Sequence, residues 1–267
     1  MLKIVACKSK WVTTDYKEYV VDSKSYEEKL KTMSDKESFN GKARDSFEKG
    51  ETPTKGLGWV QQIRGGLSMG TTSFILDHCV SENLYTQLLA LKAVMGGQVF
   101  FSQSRLHITV AVLCVNSVDP DLLAESAAWG KMKLRTLDLK PILLKPYKLF
   151  FSSNWDLFLT WKPVGSDPDT LFSLRKALND TRSISAAPDL IHSSVMYAWD
   201  RDTLKENRQA VLDTVDTINA WIESHSEIVS CPTLSLVQDW TDSKNGCSPA
   251  AFLESWEQPR LQGTRPL

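Results

Sequence analysis

The sequence predicts an α+β protein in which one structural unit is used twice, giving a duplicated bilobal fold. Two antiparallel sheets should face each other across a central cleft, with helices on the outside. Three observations carry this. Strand-like and helix-like segments alternate regularly from residue 57 onward. The order strand, helix, histidine-bearing strand, helix, strand occurs in both halves. Phe74 precedes His107 by about as many residues as Phe158 precedes His192, roughly 33 in each case. With 267 residues, 42% of them hydrophobic and 24% charged, the chain can bury a core of the required size.

The elements follow from local pattern. Residues 72–77 read as a buried strand. Ser81 is placed to cap a helix whose apolar residues Leu84, Leu88, Leu91 and Met95 recur at helical spacing, and Gly96-Gly97 stops it. Residues 99–101 and 106–113 follow as strands. Asp119-Pro120 is a cap with a first-turn proline and opens a helix to about Gly130. Strands fit near 137–151, where prolines suggest an edge or a bend, and near 156–161. The signs then recur: Asp167-Pro168 before a helix carrying Leu171, Leu174 and Leu178, a strand over 189–197, a long helix over 203–225 with Val211, Val215, Ile218 and Ile222, and a closing strand over 228–240. The motif strands are expected near the centres of their sheets.

The two-lobe domain is expected over 57–245. Residues 1–56 read as a variable N-terminal appendage, rich in Lys, Asp, Glu and Ser, in which Tyr26-Glu-Glu-Lys-Leu30 suits a short amphipathic helix with a solvated segment as the alternative, and residues 246–267 as a C-terminal tail. Lys plus Arg (31) against Asp plus Glu (32) leaves a charge of -1, which excludes wrapping a long nucleic acid tract by counterion release. A small nucleotide or a nucleic-acid end remains as a partner. No run approaches about eighteen apolar residues, and the N-terminus lacks the order of a signal peptide, so the expectation is a cytoplasmic monomer without a membrane partner. The five cysteines are scattered without CxxC spacing, as suits buried free thiols rather than a disulfide framework or a zinc site.

Of four histidines, two occupy equivalent places: Leu106-His-Ile-Thr-Val110 and Ile191-His-Ser-Ser-Val195. Residues two apart on a strand share a face at about 6.5–7 Å, so His107 should stand beside Thr109, and His192 beside Ser194. Two imidazoles that titrate near neutrality can act as base and acid on opposite sides of one phosphorus atom. The hydroxyls can donate to the phosphate oxygens, where charge grows in the transition state. Which histidine is base and which acid is left open by the sequence.

Two His-x-Thr/Ser-aliphatic motifs in a repeat resemble the two-histidine (2H) phosphoesterase superfamily, which includes the bacterial RNA ligase/cyclic phosphodiesterase proteins. The resemblance covers about residues 59–240. It implies a metal-independent hydrolase without cofactor, acting on 2'-5'-linked or 2',3'-cyclic nucleotide phosphodiesters such as a signalling oligoadenylate, a cyclic dinucleotide or an RNA end. His107 and His192 would then be the catalytic pair, with Thr109 and Ser194 binding the phosphate. Ser193 departs from the pattern, being polar where the family often has an apolar residue.

Arg105 directly precedes the first motif and can meet a phosphate. Tyr197 and Trp199 follow the second and offer stacking partners for a base, with Trp59, Phe101 and Trp155 as further aromatics near the expected cleft. Arg64-Gly-Gly66 lacks the spacing of a phosphate-binding loop, and His78 and His225 read as structural. The alternative of another class is a non-catalytic nucleotide- or RNA-end-binding module of the same fold. A metallohydrolase would need a third ligand that neither motif supplies.

Overall fold

The computed structural model describes residues 22–51, 69–77, 79–96, 98–117, 119–137, 140, 142–179, 190–198, 200–225, 227–231, 233–241 and 251–257. The expected α+β, two-sheet architecture is the one observed. The strands are β1 (Met69–Leu76), β2 (Val99–Phe100), β3 (Ile108–Ser117), β4 (Ile142–Phe151), β5 (Leu157–Val164), β6 (His192–Tyr197), β7 (Val229–Cys231), β8 (Thr233–Thr241) and β9 (Ala251–Glu257). The helices are α1 (Ser23–Thr32), α2 (Phe39–Lys49), α3 (Glu82–Val94), α4 (Pro120–Leu134), α5 (Thr170–Asn179), α6 (Arg201–Glu206) and α7 (Arg208–Ser224). One sheet has the order β3-β1-β8-β9 and the other β2-β6-β5-β4-β7, with every pairing antiparallel.

The repeat is visible in these orders as β3-β1-β8 against β6-β5-β4. In each half the motif strand pairs with the first strand of its own half. The closing strand comes from the other half: β4 joins the second sheet and β8 the first. The two halves are thus stapled together by exchanged strands, and neither sheet is built from one half alone. The motif strands are not central as expected. β3 is an edge strand, and β6 is followed outward only by the two-residue β2. Exchange causes this, because the incoming closing strand takes the other side of β1 or β5 and leaves the motif strand at the margin.

Other differences have local causes. The expected strand over 228–240 divides into β7, which pairs with β4, and β8, which pairs with β1. The residue between them is a proline, which has no N–H for a ladder. The long helix over 203–225 divides at Asn207 into α6 and α7, and Asp200 caps α6 by accepting from the Asp202 and Thr203 amides. α4 runs to Leu134, past the expected stop. Gly130 is a close-approach residue instead of a stop, since a Cβ there would lie 2.7 Å from Leu236 Cδ1 on the sheet beneath. The registers also correct the repeat: Thr109 pairs with Ile75, and Ser194 with Phe158, so Ile75 and not Phe74 is the counterpart of Phe158.

The boundary expected at residue 56 does not separate an appendage from the core. Tyr26, Leu30, Met33, Ala43 and Phe47 are buried in the same cluster as Phe151, Trp155 and Trp161. They recur at helical spacing among charged residues, in two amphipathic helices of which the first includes the short helix expected at residues 26–30. Phe47 stacks on Phe151 at 4.7 Å and meets Trp155 edge-on at 5.3 Å. Arg44 binds both carboxylate oxygens of Asp216 on α7, at 2.7 and 2.8 Å. Residues 251–257, expected within a tail, form β9 and pair with β8. Among the described residues no helix is long and apolar enough to cross a membrane.

Candidate active site

A 3-10 turn, Gln103–Arg105, delivers the first motif, where the sequence reading has Arg105 directly abutting a strand. From Leu106 to Val110 burial alternates: Leu106, Ile108 and Val110 are buried, while His107 and Thr109 are half-buried. The second motif repeats the pattern, with Ile191, Ser193 and Val195 buried and His192 and Ser194 half-buried. Each histidine therefore shares a sheet face with its hydroxyl residue, because strand side chains alternate. In both sheets the register slips immediately before the residue opposite that hydroxyl, between Phe74 and Ile75 and between Leu157 and Phe158. Such bulges re-aim side chains at functional margins.

The rings are oriented alike. His107 Nδ1 lies 2.8 Å from the Arg105 carbonyl and His192 Nδ1 lies 3.3 Å from the Leu190 carbonyl, two residues back in each case. A carbonyl only accepts, so Nδ1 carries the proton and Nε2 is the proton-accepting nitrogen of each neutral ring. Burial pushes the His192 imidazole down to about 4, with the positive charges of Arg175 and His107 adding to the effect and the bond to Leu190 opposing it.

Two side chains, Arg175 and Cys79, bridge the seam between the motif strands, and two more brace the second motif. Arg175 on α5 donates through Nη2 to the Thr109 carbonyl at 3.1 Å and to the Leu190 carbonyl at 3.3 Å, so one guanidinium holds both motifs. Cys79 Sγ contacts the Leu106 carbonyl at 3.7 Å and Ser193 Oγ at 3.8 Å. Its burial pushes the thiol up to about 12, which keeps it protonated. Ser193 also accepts from Trp161 Nε1 at 3.0 Å, and this explains its departure from an apolar residue: it satisfies a buried indole. Tyr26 of α1 clamps the entry to β6, its hydroxyl donating to the Ile191 carbonyl at 3.3 Å and accepting from the Ile191 amide at 3.0 Å.

A cavity of about 520 Å³ opens beside the second motif, walled by His192, Ser194, Tyr197, Phe158, Leu157, Leu190, Asp156, Ser152, Lys29, Phe39 and Asn40. His107, Thr109 and Arg105 lie outside that wall. Phe158 meets His192 edge-on at 5.5 Å, and Tyr197 meets Phe101 edge-on at 5.0 Å. Arg105 places its guanidinium 5.9 Å from the Phe101 ring, so the first motif's arginine and the second motif's tyrosine meet through one aromatic. Asp156 accepts from the Ala198 amide at 2.9 Å and from Ser152 Oγ at 3.0 Å; burial raises its carboxyl.

Of the residues expected at the site, His192, Ser194 and Tyr197 line the cavity, whereas His107, Thr109 and Arg105 belong to the segment across the seam and lie outside its wall. Trp199, Trp59, His78 and Arg64-Gly-Gly66 lie outside the described residues. Trp155 is buried under Phe47, as a core residue. His225 stacks on Trp221 at 4.2 Å and bonds its carbonyl, in keeping with a structural role. Cys79, Cys114 and Cys231 are buried free thiols. Arg175, Tyr26, Lys29, Phe39 and Asn40 were not expected. Arg175 left one signal: a lone cation in the apolar stripe of Leu171, Leu174 and Leu178.

The depressed His192 value has a consequence for stability. The unfolded chain protonates this histidine near 6.5, while the folded chain resists until about 4. Stability contributed by neutral His192 is therefore lost as pH falls through that window, by about 2 kcal/mol between pH 7 and 4.5. Urea unfolding at the two pH values should show a smaller acid loss for His192→Gln than for the wild type. Equal losses would mean that His192 titrates normally.

No family model matches the sequence, and no curated protein matches it. Among solved structures, the chain is similar to the apo crystal structure of E. coli LigT, with 11% identity, a TM-score of 0.44, and coverage of 73% of this chain and 99% of that one.

Proposed function

We propose that this protein is a metal-independent phosphodiesterase that hydrolyses 2'-5'-linked or 2',3'-cyclic nucleotide phosphodiesters, with His192 as general base and His107 as general acid. The observation that carries this is the matched pair itself. Two histidines at equivalent positions of a strand-exchanged repeat each spend Nδ1 on the carbonyl two residues back, beside a hydroxyl residue on the same face, with Arg175 holding both motifs. The resemblance of these motifs to the two-histidine phosphoesterases supports the same chemistry.

The roles follow from charge. A base must be neutral at working pH, and His192 is held neutral down to about 4. Its Nε2 takes a proton from the attacking water as the new P–O bond forms. A protonated His107 gives its proton to the departing ribose oxygen as the old P–O bond breaks, so the reaction starts and ends with one proton shared between two rings. Thr109 and Ser194 donate to the non-bridging oxygens, where negative charge accumulates. The near-neutral surface suits a short substrate, as expected of a cytoplasmic monomer acting on signalling nucleotides or RNA ends.

The test is a panel of matched 2'-5', 3'-5' and 2',3'-cyclic compounds incubated with purified protein in EDTA. Cleavage of the 2'-5' or cyclic members, faster than of the 3'-5' member, is expected. Loss of activity on chelation with recovery on a divalent ion would transfer the chemistry to a metal. Binding without turnover would make the protein a nucleotide-binding module.

A further inference from the structure

The cavity beside His192 is not built by the repeat alone. Lys29 of α1 and Phe39 and Asn40 of α2 line it together with Phe158 and Tyr197. Phe39 is 64% exposed, the largest exposure among the exposed large apolar side chains of the described residues. It makes no ring contact among them, at the lip of a cavity that already holds a candidate catalytic residue. The surrounding chain does not leave it there loosely. The next residue, Asn40, is buried and donates through Nδ2 to the Phe151 carbonyl at 3.1 Å. Glu27, two residues before Lys29, pairs with Lys162 at 2.7 Å. α1 is pinned at Tyr26 to the entry of the motif strand, and α2 at Arg44 to α7. An exposed aromatic on well-anchored helices, lining a cavity that also holds other aromatic and polar side chains, is what a flat, heteroatom-edged ring requires.

We infer that α1 and α2 complete a nucleobase subsite, in which the base of the nucleoside whose phosphate is held at His192 and Ser194 stacks against Phe39, with Lys29 beside the phosphate. This rests on the phosphodiesterase reading for the identity of the phosphate. The cavity volume, about 520 Å³, suits one nucleotide unit within the usual range of small-ligand pockets. Tyr197 and Phe158 supply further aromatic lining, and Asn40, Ser152 and Asp156 the polar groups able to read a base edge. The N-terminal helices are then the element that selects the nucleotide, while the repeat cleaves it. Substrate choice resides in a segment outside the two motifs.

The probes are adenosine 2'-monophosphate and inorganic phosphate, titrated calorimetrically into the full chain. Wild-type protein should bind the nucleotide at least about tenfold more tightly than phosphate, the difference expected from one stacked base. Phe39→Ala should erase most of that preference and leave the phosphate affinity unchanged, and Phe39→Trp should restore it. An exposed side chain carries little packing, so the fold should survive both changes. Phe39→Ala binding the nucleotide as tightly as wild type, or wild type showing no preference for it, would overturn the subsite. The same preparations run on the phosphodiester panel separate the two claims. Nucleotide binding that depends on Phe39 without cleavage would leave the subsite standing and sink the hydrolase. Cleavage with an unaffected Phe39→Ala variant would do the reverse.

Discussion

Replacing either His107 or His192 by alanine is expected to lower kcat about 10²- to 10⁴-fold, the range typical of a positioned general acid or base. The fold should persist, because both side chains are half-buried at the sheet margin and neither fills the core. The double variant should fall little further than the worse single one, since groups that act as a unit are not additive. The two replacements should differ in pH dependence. Loss of His192 removes the group that must be neutral, and with it the acid limb of kcat/KM, which in the wild type follows the depressed imidazole. Two single variants that keep wild-type rates on every substrate the wild type cleaves would remove both residues from the chemistry.

The second large effect is expected at Arg175, which lies outside the cavity's lining and acts through the backbone of the motif strands. Its guanidinium donates to the backbone of both motifs, so Arg175→Met should loosen the seam and misplace one imidazole relative to the other. A displacement on the order of 1 Å costs about 10²-fold in rate, and each lost bond from a charged donor about 1.5–3 kcal/mol in stability. Lysine should substitute poorly, because its ammonium sits on a shorter, flexible stem, whereas Nη2 is held at both carbonyls by a rigid, buried guanidinium. The distinguishing readout is the His192 imidazole. Arg175 contributes to its depression, so the methionine variant should titrate at a higher pH than wild type. A stability loss with an unmoved His192 titration would reduce Arg175 to a packing role.

What the sequence revealed and concealed follows the range of the interactions involved. The shared face of His107 with Thr109 and of His192 with Ser194 was legible because side-chain alternation is a property of a few consecutive residues. The Ser81 cap was equally local, its Oγ accepting from the Leu84 amide at 3.1 Å. Exchange of β4 and β8 was not legible. Nothing in either strand states which of two similar first strands it will join, and that choice displaced the motif strands from the sheet centres. α1 was legible in part, in the amphipathic pattern of residues 26–30, whereas α2 was hidden by composition, its few buried residues spread among charged ones. Arg175 and Tyr26 act on backbone atoms far away in sequence, at Thr109 and Ile191, and a backbone partner leaves no side-chain pattern to read. Ser193 looked like a flaw in the motif until Trp161 supplied its reason.

The central claim is that His107 and His192 serve one phosphate. Nitrogen-15 NMR of histidine-labelled protein, titrated with adenosine 2'-monophosphate, tests it directly. Nε2 of His107 and Nε2 of His192 should shift together along a single isotherm with one Kd, while His225, stacked on Trp221, stays in place. A response from only one of the pair, or two responses with separate affinities, would contradict it.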